Sequence, residues 1–255
     1  MPWLGSRSKF FKTVLRESAD WQQLEWGVML KLLDTTGGNT KLRKTTKGSS
    51  GFARVAGLSM HPDDTVCPFR WIAGCGKGCL VGAGRGVMRP VKESRLRKLA
   101  WFHEDKSAFL NQLRKEIRSF EKVCAKAGVQ PVVRLNVITD VQWEKLGIPQ
   151  EFPEVYFYDY TKLASRLVRP LPENYDLLFS YSSKPEYQRS VKKALSTERP
   201  IAVVFNGPFP ERFLGRPVFD GDKSDLENVK LKNAVIALTA KGPAKQDQDG
   251  FVVHT

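Results

Sequence analysis

The sequence predicts an α/β fold, a partial or complete parallel (βα) barrel preceded by an N-terminal extension. Three observations carry this. Beyond residue 130, apolar runs of strand length alternate with segments of helical pattern. Several of those runs are continuously apolar, as in parallel strands covered on both faces. Polar residues gather where the runs end, which is where parallel barrels carry their sites. A doubly wound dinucleotide fold is set aside, because no Gly fingerprint follows the first strand.

Taken in order, Lys9 to Leu33 is rich in large apolar residues. Its first part suits a short helix, and from Leu24 onward periodicity does not decide between helix and strand. Thr35 to Gly51 is dominated by Gly, Ser, Thr and cations, which bury little, so a mobile loop is expected. Phe52 to Met60 reads as a strand and leads directly into a cysteine-bearing loop. Gly82-Ala83-Gly84-Arg85-Gly86 is a second flexible stretch, followed by a basic helical run from Val91 to His103. Ser107 to Ala127 is the clearest helix. Phe109, Leu110, Leu113, Ile117, Phe120, Val123 and Cys124 recur at helical spacing, and Gly128 supplies the stop.

Strands are then expected at Pro131–Ile138, Glu154–Tyr160, Tyr175–Tyr181, Ile201–Phe205 and Val235–Leu238. Between them, a helical turn is expected at Trp143–Leu146 and helices at Lys162–Val168 and Pro185–Leu195. Lys241 to Asp249 is polar, and Phe251-Val252-Val253 suits a last edge strand. The domain reading is an extension over residues 1–40, a single barrel-like domain over 41–241 and a tail over 242–255.

The chain has 255 residues, 41% hydrophobic and 27% charged, which is an ordinary globular composition. Its 41 Lys and Arg face 27 Asp and Glu, a formal charge of +14. Such a balance favours a polyanionic partner, nucleic acid first. Arg43, Lys44, Lys47, Arg85 and Arg89, which lie in or beside the two flexible stretches, are the candidate phosphate contacts. No basic amphipathic helix with a clean apolar face argues for a membrane surface, and no apolar run approaches the ~20 residues of a span. Met1 to Lys12 has no secretory pattern, so the expected place is the cytoplasm.

Three of the four cysteines fall within thirteen residues, at Cys67, Cys75 and Cys79. In a reducing compartment such crowding points to metal. The glycines flanking Cys75 and Cys79 permit the tight turns that bring thiolates to one point. Three thiolates form a soft site suited to an iron–sulfur cluster or to zinc, with one coordination position left open. The spacing, CxxxxxxxCxxxC, matches neither a zinc ribbon nor the CxxxCxxC of the usual radical-SAM loop. Buried structural cysteines remain the alternative. Cys124, on the apolar face of the long helix, reads as a core residue, and His61 as a loop residue or a fourth ligand.

Strand ends supply further candidates. Asn136 and Asp140 end one strand, and Lys162 follows Asp159, Tyr160 and Thr161 at the end of the next. These three are the candidate catalytic residues, although Asp, Ser and Thr at such places also cap turns. Asp220, Asp222 and Asp225 suit a divalent cation or a capped turn. Tyr156, Tyr158, Tyr160, Tyr181 and Phe205 suit either stacking on bases or core packing. No GxSxG, HExxH or P-loop lysine is present, which removes the common hydrolase and nucleotide-binding classes.

The stretches GLSMHPDDTVCPF, GCGKGCLVGAGRG, RLNVITDVQWE, FPEVYFYDYTK, NYDLLFSYS and DGDKSDL together resemble a bacteriophage family, the gene-product-eighty-eight group. The resemblance runs from about Lys41 to Lys241. That family is similar to radical-SAM-like barrels with cysteines after the first strand, and the resemblance implies Cys67, Cys75 and Cys79 as the matching cysteines. The chain departs from radical-SAM enzymes in its cysteine spacing and in lacking the Gly-Gly-Glu that holds the amino group of S-adenosylmethionine. Three functions follow as expectations. The first is a nucleic-acid-associated phage protein with a three-cysteine metal or iron–sulfur site. The others are an iron–sulfur enzyme and a non-catalytic host-interaction protein.

Overall fold

The computed structural model describes residues 30–35 and 38–255. The apolar N-terminal segment Lys9 to Leu33 lies almost wholly outside them. Residues Leu32–Thr255 form one compact unit.

Among the described residues the frame is one sheet of ten strands: β1 (Leu33–Asp34), β2 (Ala53–Leu58), β3 (Gln130–Arg134), β4 (Tyr156–Thr161), β5 (Tyr175–Ser180), β6 (Ile201–Asn206), β7 (Arg212–Phe213), β8 (Arg216–Asp220), β9 (Val235–Thr239) and β10 (Val252–His254). The order is β1-β2-β3-β4-β5-β6-β9-β8-β7, and β10 pairs with β6 off this path. From β2 through β6 neighbours in the sheet are neighbours in sequence and all parallel. The expected strands are therefore present. The sequence reading passed over the short β1 and the β7–β8 hairpin.

Helices are α1 (Thr40–Gly48), α2 (Arg89–Glu104), α3 (Lys106–Lys126), α4 (Gln188–Leu195) and α5 (Asp225–Asn228). In α3, Phe109, Leu113, Ile117, Phe120 and Cys124 form the buried stripe, Asp105 caps the N-terminus by accepting Ala108 N–H at 2.9 Å, and Gly128 ends it at φ +62°. Cys124 is fully buried, a core residue as read.

Two expectations about local structure are corrected. Thr35–Gly51 is not simply a loop, because α1 occupies Thr40–Gly48. Asn39 caps it by accepting Lys41 N–H at 2.9 Å, and Asp34 in turn accepts Asn39 N–H at 2.7 Å. The helix rests on the sheet through Leu42. A Cβ added to Gly57 of β2 would lie 2.6 Å from Leu42 Cδ1 and 2.8 Å from Val137 Cγ2, so only glycine admits this contact. The expected helix at Lys162–Val168 is a single 3-10 turn, Ala164–Arg166.

Strand β4 is covered on both sides. Tyr156, Tyr158 and Tyr160 point to one face and join the cluster of Leu42, Val55, Val132, Leu178 and Ile236. Phe157, Asp159 and Thr161 are buried on the other. The last strand is present as expected and pairs with β6 alone, while the polar tail before it is partly buried. Ala244 and Val252 are buried, and β10 lies parallel on β6 rather than at the end of the sheet path. β5 pairs with β6 only at Ile201 and Ala202, and β10 takes Val204–Asn206 on the edge that β5 leaves. Among the described residues, no helix is long and apolar enough to cross a membrane.

Candidate functional site at the strand ends

The cysteine loop begins where β2 ends. Asp63 shapes its first turn: its Oδ1 accepts the N–H groups of Thr65 and Val66 at 2.9 and 3.1 Å, and its main-chain carbonyl accepts Cys67 N–H at 2.8 Å. The loop is then stitched to the end of β3. Asp140 N–H donates to Val66 O at 2.7 Å, and Cys67 Sγ lies 3.7 Å from Ile138 O. Farther along, Lys184 Nζ donates to Trp71 O at 3.3 Å, beyond the end of β5. The loop therefore spans the C-terminal ends of the central strands, as expected of a parallel βα fold.

All three thiols are withdrawn from water. Burial pushes Cys67, Cys75 and Cys79 above the ordinary cysteine value, and each of the three pairs among them interacts electrostatically. Among the described residues, no group of three or more His, Cys, Asp or Glu side chains stands in position to hold a metal ion. Cys67 is 9% exposed and Cys75 and Cys79 are half-buried. His61 is also partly buried, and burial lowers its proton affinity.

Lys162 reaches the same place from β4. Its ammonium donates to Tyr181 O at 2.7 Å, 4.5 Å from the centre of the Phe251 ring. Burial lowers its pKa to about 8, against the charges of Cys75, Asp140 and Asp247, which raise it. Asp140 braces the turn that presents it, with Oδ2 accepting Lys162 N–H at 2.7 Å and Oδ1 accepting from Thr161 Oγ1 and Arg166 Nη1, both at 2.8 Å. Burial raises the Asp140 pKa, opposed by Arg166.

Asn136 is 1% exposed and its amide is fully engaged. Nδ2 donates to Val141 O and Asp159 Oδ2, while Oδ1 accepts from Thr139, Val141 and Trp143. Asp159 accepts from Asn136 and from Tyr175 Oη, and burial pushes its pKa up to about 7. Asn136 thus organises the turn after β3, while the charges of Asp140 and Lys162 act in opposite directions on Cys75.

Sequence reasoning passed over Arg95 and Arg166. Arg166 is fully buried between Asp140 and Glu144, each at 2.8 Å. Arg95, on α2, interacts with Cys79, and its Nε and Nη1 are buried with no hydrogen-bond partner. Neither stands in a motif, and only contacts across the fold reveal them.

The acidic run does not form a cation site. Asp222 pairs with Lys241, and Asp225 is buried between Lys41 and Arg134 at 3.1 and 3.0 Å. Tyr158 and Tyr160 donate to the same carboxylate. Tyr158, Tyr181 and Phe205 are buried, which fits packing rather than base stacking.

Of the proposed phosphate contacts, Arg43, Lys44 and Lys47 are exposed on α1, at spacings that share one side of a helix. Arg85 is exposed and reaches Gly38 O at 3.4 Å, just before that helix. Arg89 is exposed and pairs with Glu93 at 2.6 Å.

Comparison with known proteins adds one result. Neither the curated proteins nor the solved structures contain a match. The family described as Gene product 88 matches residues 30–255, from just before β1 to the last residue given. The chain belongs to the Gene product 88 family, a phage protein family, and the whole sheet with its strand-end cluster lies inside the matched region.

Proposed function

We propose that the strand-end cluster is a metal-dependent site in which Cys67, Cys75 and Cys79 hold an iron–sulfur cluster or zinc, with Lys162 acting beside it. The observation that carries this is the placement of Lys162, just after the end of β4, under the Phe251 ring that also packs against Gly78, between Cys75 and Cys79. The sequential parallel order supports reading the sheet as the wall of an open barrel, whose C-terminal rim bears this cluster.

The donor type suits such a group, but no three of these side chains stand in position to hold a metal as the loop is placed, so binding would require the Cys67–Cys79 loop to close around it. Three thiols are soft donors, and the neutral trio leaves Arg95 Nε and Nη1 buried without an acceptor. Metal-bound thiolates would bring negative charge to that guanidinium. Bound metal with three protein ligands supplies an open position for a small molecule. Lys162, with a pKa of about 8, can hold or release a proton at Nζ near neutrality. Asp140 fixes its main chain.

The test is anaerobic purification with iron, sulfide and zinc analysis. One metal centre per chain is expected, lost on Cys67→Ser, Cys75→Ser or Cys79→Ser and kept in Cys124→Ala. Metal-free protein under these conditions sinks the proposal.

A second reading, nucleic-acid association, is favoured by one observation. The outward cations of α1 remain exposed while Lys41, on its inner side, is engaged by Asp225. The check is salt-dependent binding that weakens on Lys44→Glu and Arg85→Glu. Equal binding by parent and variants removes this reading.

A further inference from the structure

The C-terminal segment sits on the chemically loaded strand-end cluster, with Phe251 over Lys162 and against Gly78 of the cysteine loop. We infer that residues 242–254 form a displaceable lid over Lys162 and the cysteine loop, and that a ligand reaches Lys162 only when this lid lifts. The inference takes from the proposed function only that this cluster meets a ligand.

The segment is built as one body. Asp247 Oδ2 accepts Val252 N–H at 3.0 Å, and Asp247 O lies 2.8 Å from His254 Nε2. These bonds close the stretch 247–254 on itself, independently of the sheet. Two glycines of the segment lie in the left-handed region, Gly242 at φ +56° at its start and Gly250 at φ +85° immediately before Phe251. Such residues turn without steric cost and suit the turns of a moving element.

What holds the lid is a small apolar cluster, Ala244 and Val252 against Val204 and Phe251, together with a few polar contacts. Gly250 O accepts from Ser183 N–H at 2.8 Å and from the hydroxyls of Ser182 and Ser183 at 3.1 and 2.9 Å. Lys77 pairs with Asp249 at 3.0 Å, but the lysine side chain is 75% exposed, so water and salt weaken this contact. Strand β10 pairs with β6 over three residues only, in the gap that β5 leaves.

What the lid covers is specific. The ring of Phe251 lies over Lys162 Nζ at 4.5 Å and also meets Gly78, between Cys75 and Cys79, where an added Cβ would stand 3.1 Å from its Cδ1. One aromatic side chain thus closes both halves of the cluster. Lifting it exposes an amine beside the cysteine loop, among Arg70, Asp140 and Asp247.

The test uses the full chain. Amide exchange is followed for residues 250–254 and for 202–205 of β6, and acetylation of Lys162 by acetic anhydride is measured on the same protein. A lid predicts that the tail amides exchange about tenfold or more faster than those of β6, through local opening. Phe251→Ala should raise Lys162 acetylation several-fold while leaving β6 exchange unchanged. If the variant fails to fold, the wild-type exchange ratio decides by itself. Tail and β6 amides exchanging at one rate, or acetylation of Lys162 unchanged in a folded Phe251→Ala protein, overturns the lid. Metal analysis on the same samples separates the two ideas. A mobile tail without metal removes the metal site and keeps the lid, whereas metal with a locked tail does the reverse.

Discussion

Asp140 holds the main chain of Lys162, its Oδ2 accepting the Lys162 N–H at 2.7 Å while its Oδ1 receives Arg166 Nη1 at 2.8 Å. One carboxylate thereby joins the turn after β3, the end of β4 and a fully buried guanidinium. An isosteric change looks harmless from the sequence, but here every donor around the carboxylate faces an acceptor. Asp140→Asn turns an NH2 group against one of them. We expect a loss of about 2–4 kcal/mol, the range for a broken buried charge-assisted network. Denaturant unfolding of the variant checks this, and an unchanged midpoint counts against the bracing role.

Lys162 gives a pH signature. Its folded-state pKa is lowered to about 8 from an ordinary 10.5. Between those values the unfolded chain binds more protons than the folded one, so stability rises with pH across that window. The difference corresponds to about 3 kcal/mol. Lys162→Met should flatten this part of the stability profile relative to wild type. Parallel profiles for the two metal-free proteins would show that the ammonium is not held in a desolvated place.

Gly57 sets the seat of α1. Alanine there would meet Leu42 and Val137 well inside contact distance, so Gly57→Ala should destabilise by about 1–3 kcal/mol, as overpacking does. Exchange of the α1 amides should quicken in the same variant. A second change, Leu42→Ala, makes room for the methyl group and should recover part of the loss. No coupling between the two sites in a double-mutant cycle contradicts the packing described.

Asp225 neutralises two cations at once. Its removal in Asp225→Ala leaves Lys41 and Arg134 without their shared carboxylate, and Arg134 is 6% exposed. The expected cost is about 3–5 kcal/mol. Burial alone would raise the pKa of Asp225, but the charges of Lys41 and Arg134 bring it below the usual value. Its contribution is therefore present above the ordinary carboxylate range and fades as pH falls through and below it. A thermal melting series from pH 6 to pH 2 should show the wild-type advantage over the alanine variant shrinking with acid.

Much of the fold was legible in the sequence. The helix α3 announced itself because Phe109, Leu113, Ile117 and Phe120 repeat at the period that one buried helix face demands. Strands β3, β4, β5, β6 and β9 were visible as short apolar runs ended by polar residues. Helix α1 was hidden, because only Leu42 and Thr45 of it are buried and too few apolar residues mark its face. Its signals were Asn39 as a cap and Gly57 as a seat, and the second has meaning only once a helix is laid on the strand. The place of β10 was hidden for a related reason: a three-residue strand carries no address, and the gap beside β6 exists only because β5 turns away after Ser180.

By itself the sequence determined the alternation of the main strands with helical segments, the long helix α3, the crowding of Cys67, Cys75 and Cys79, and the strong positive charge. Those are properties of residue type and spacing, which act locally or on the whole surface. The tertiary structure alone decided which polar residues brace and which meet. It engaged Asn136 and Asp140 in turns, directed Asp225 to Lys41 and Arg134, left Arg95 Nε and Nη1 buried without a hydrogen-bond partner, and brought Lys162 under the ring of Phe251 that also meets the cysteine loop. Desolvation is the physical reason. A lysine, a thiol or a carboxylate acquires its proton affinity and its partner from what excludes water around it, and here the excluding groups come from segments far apart in the chain.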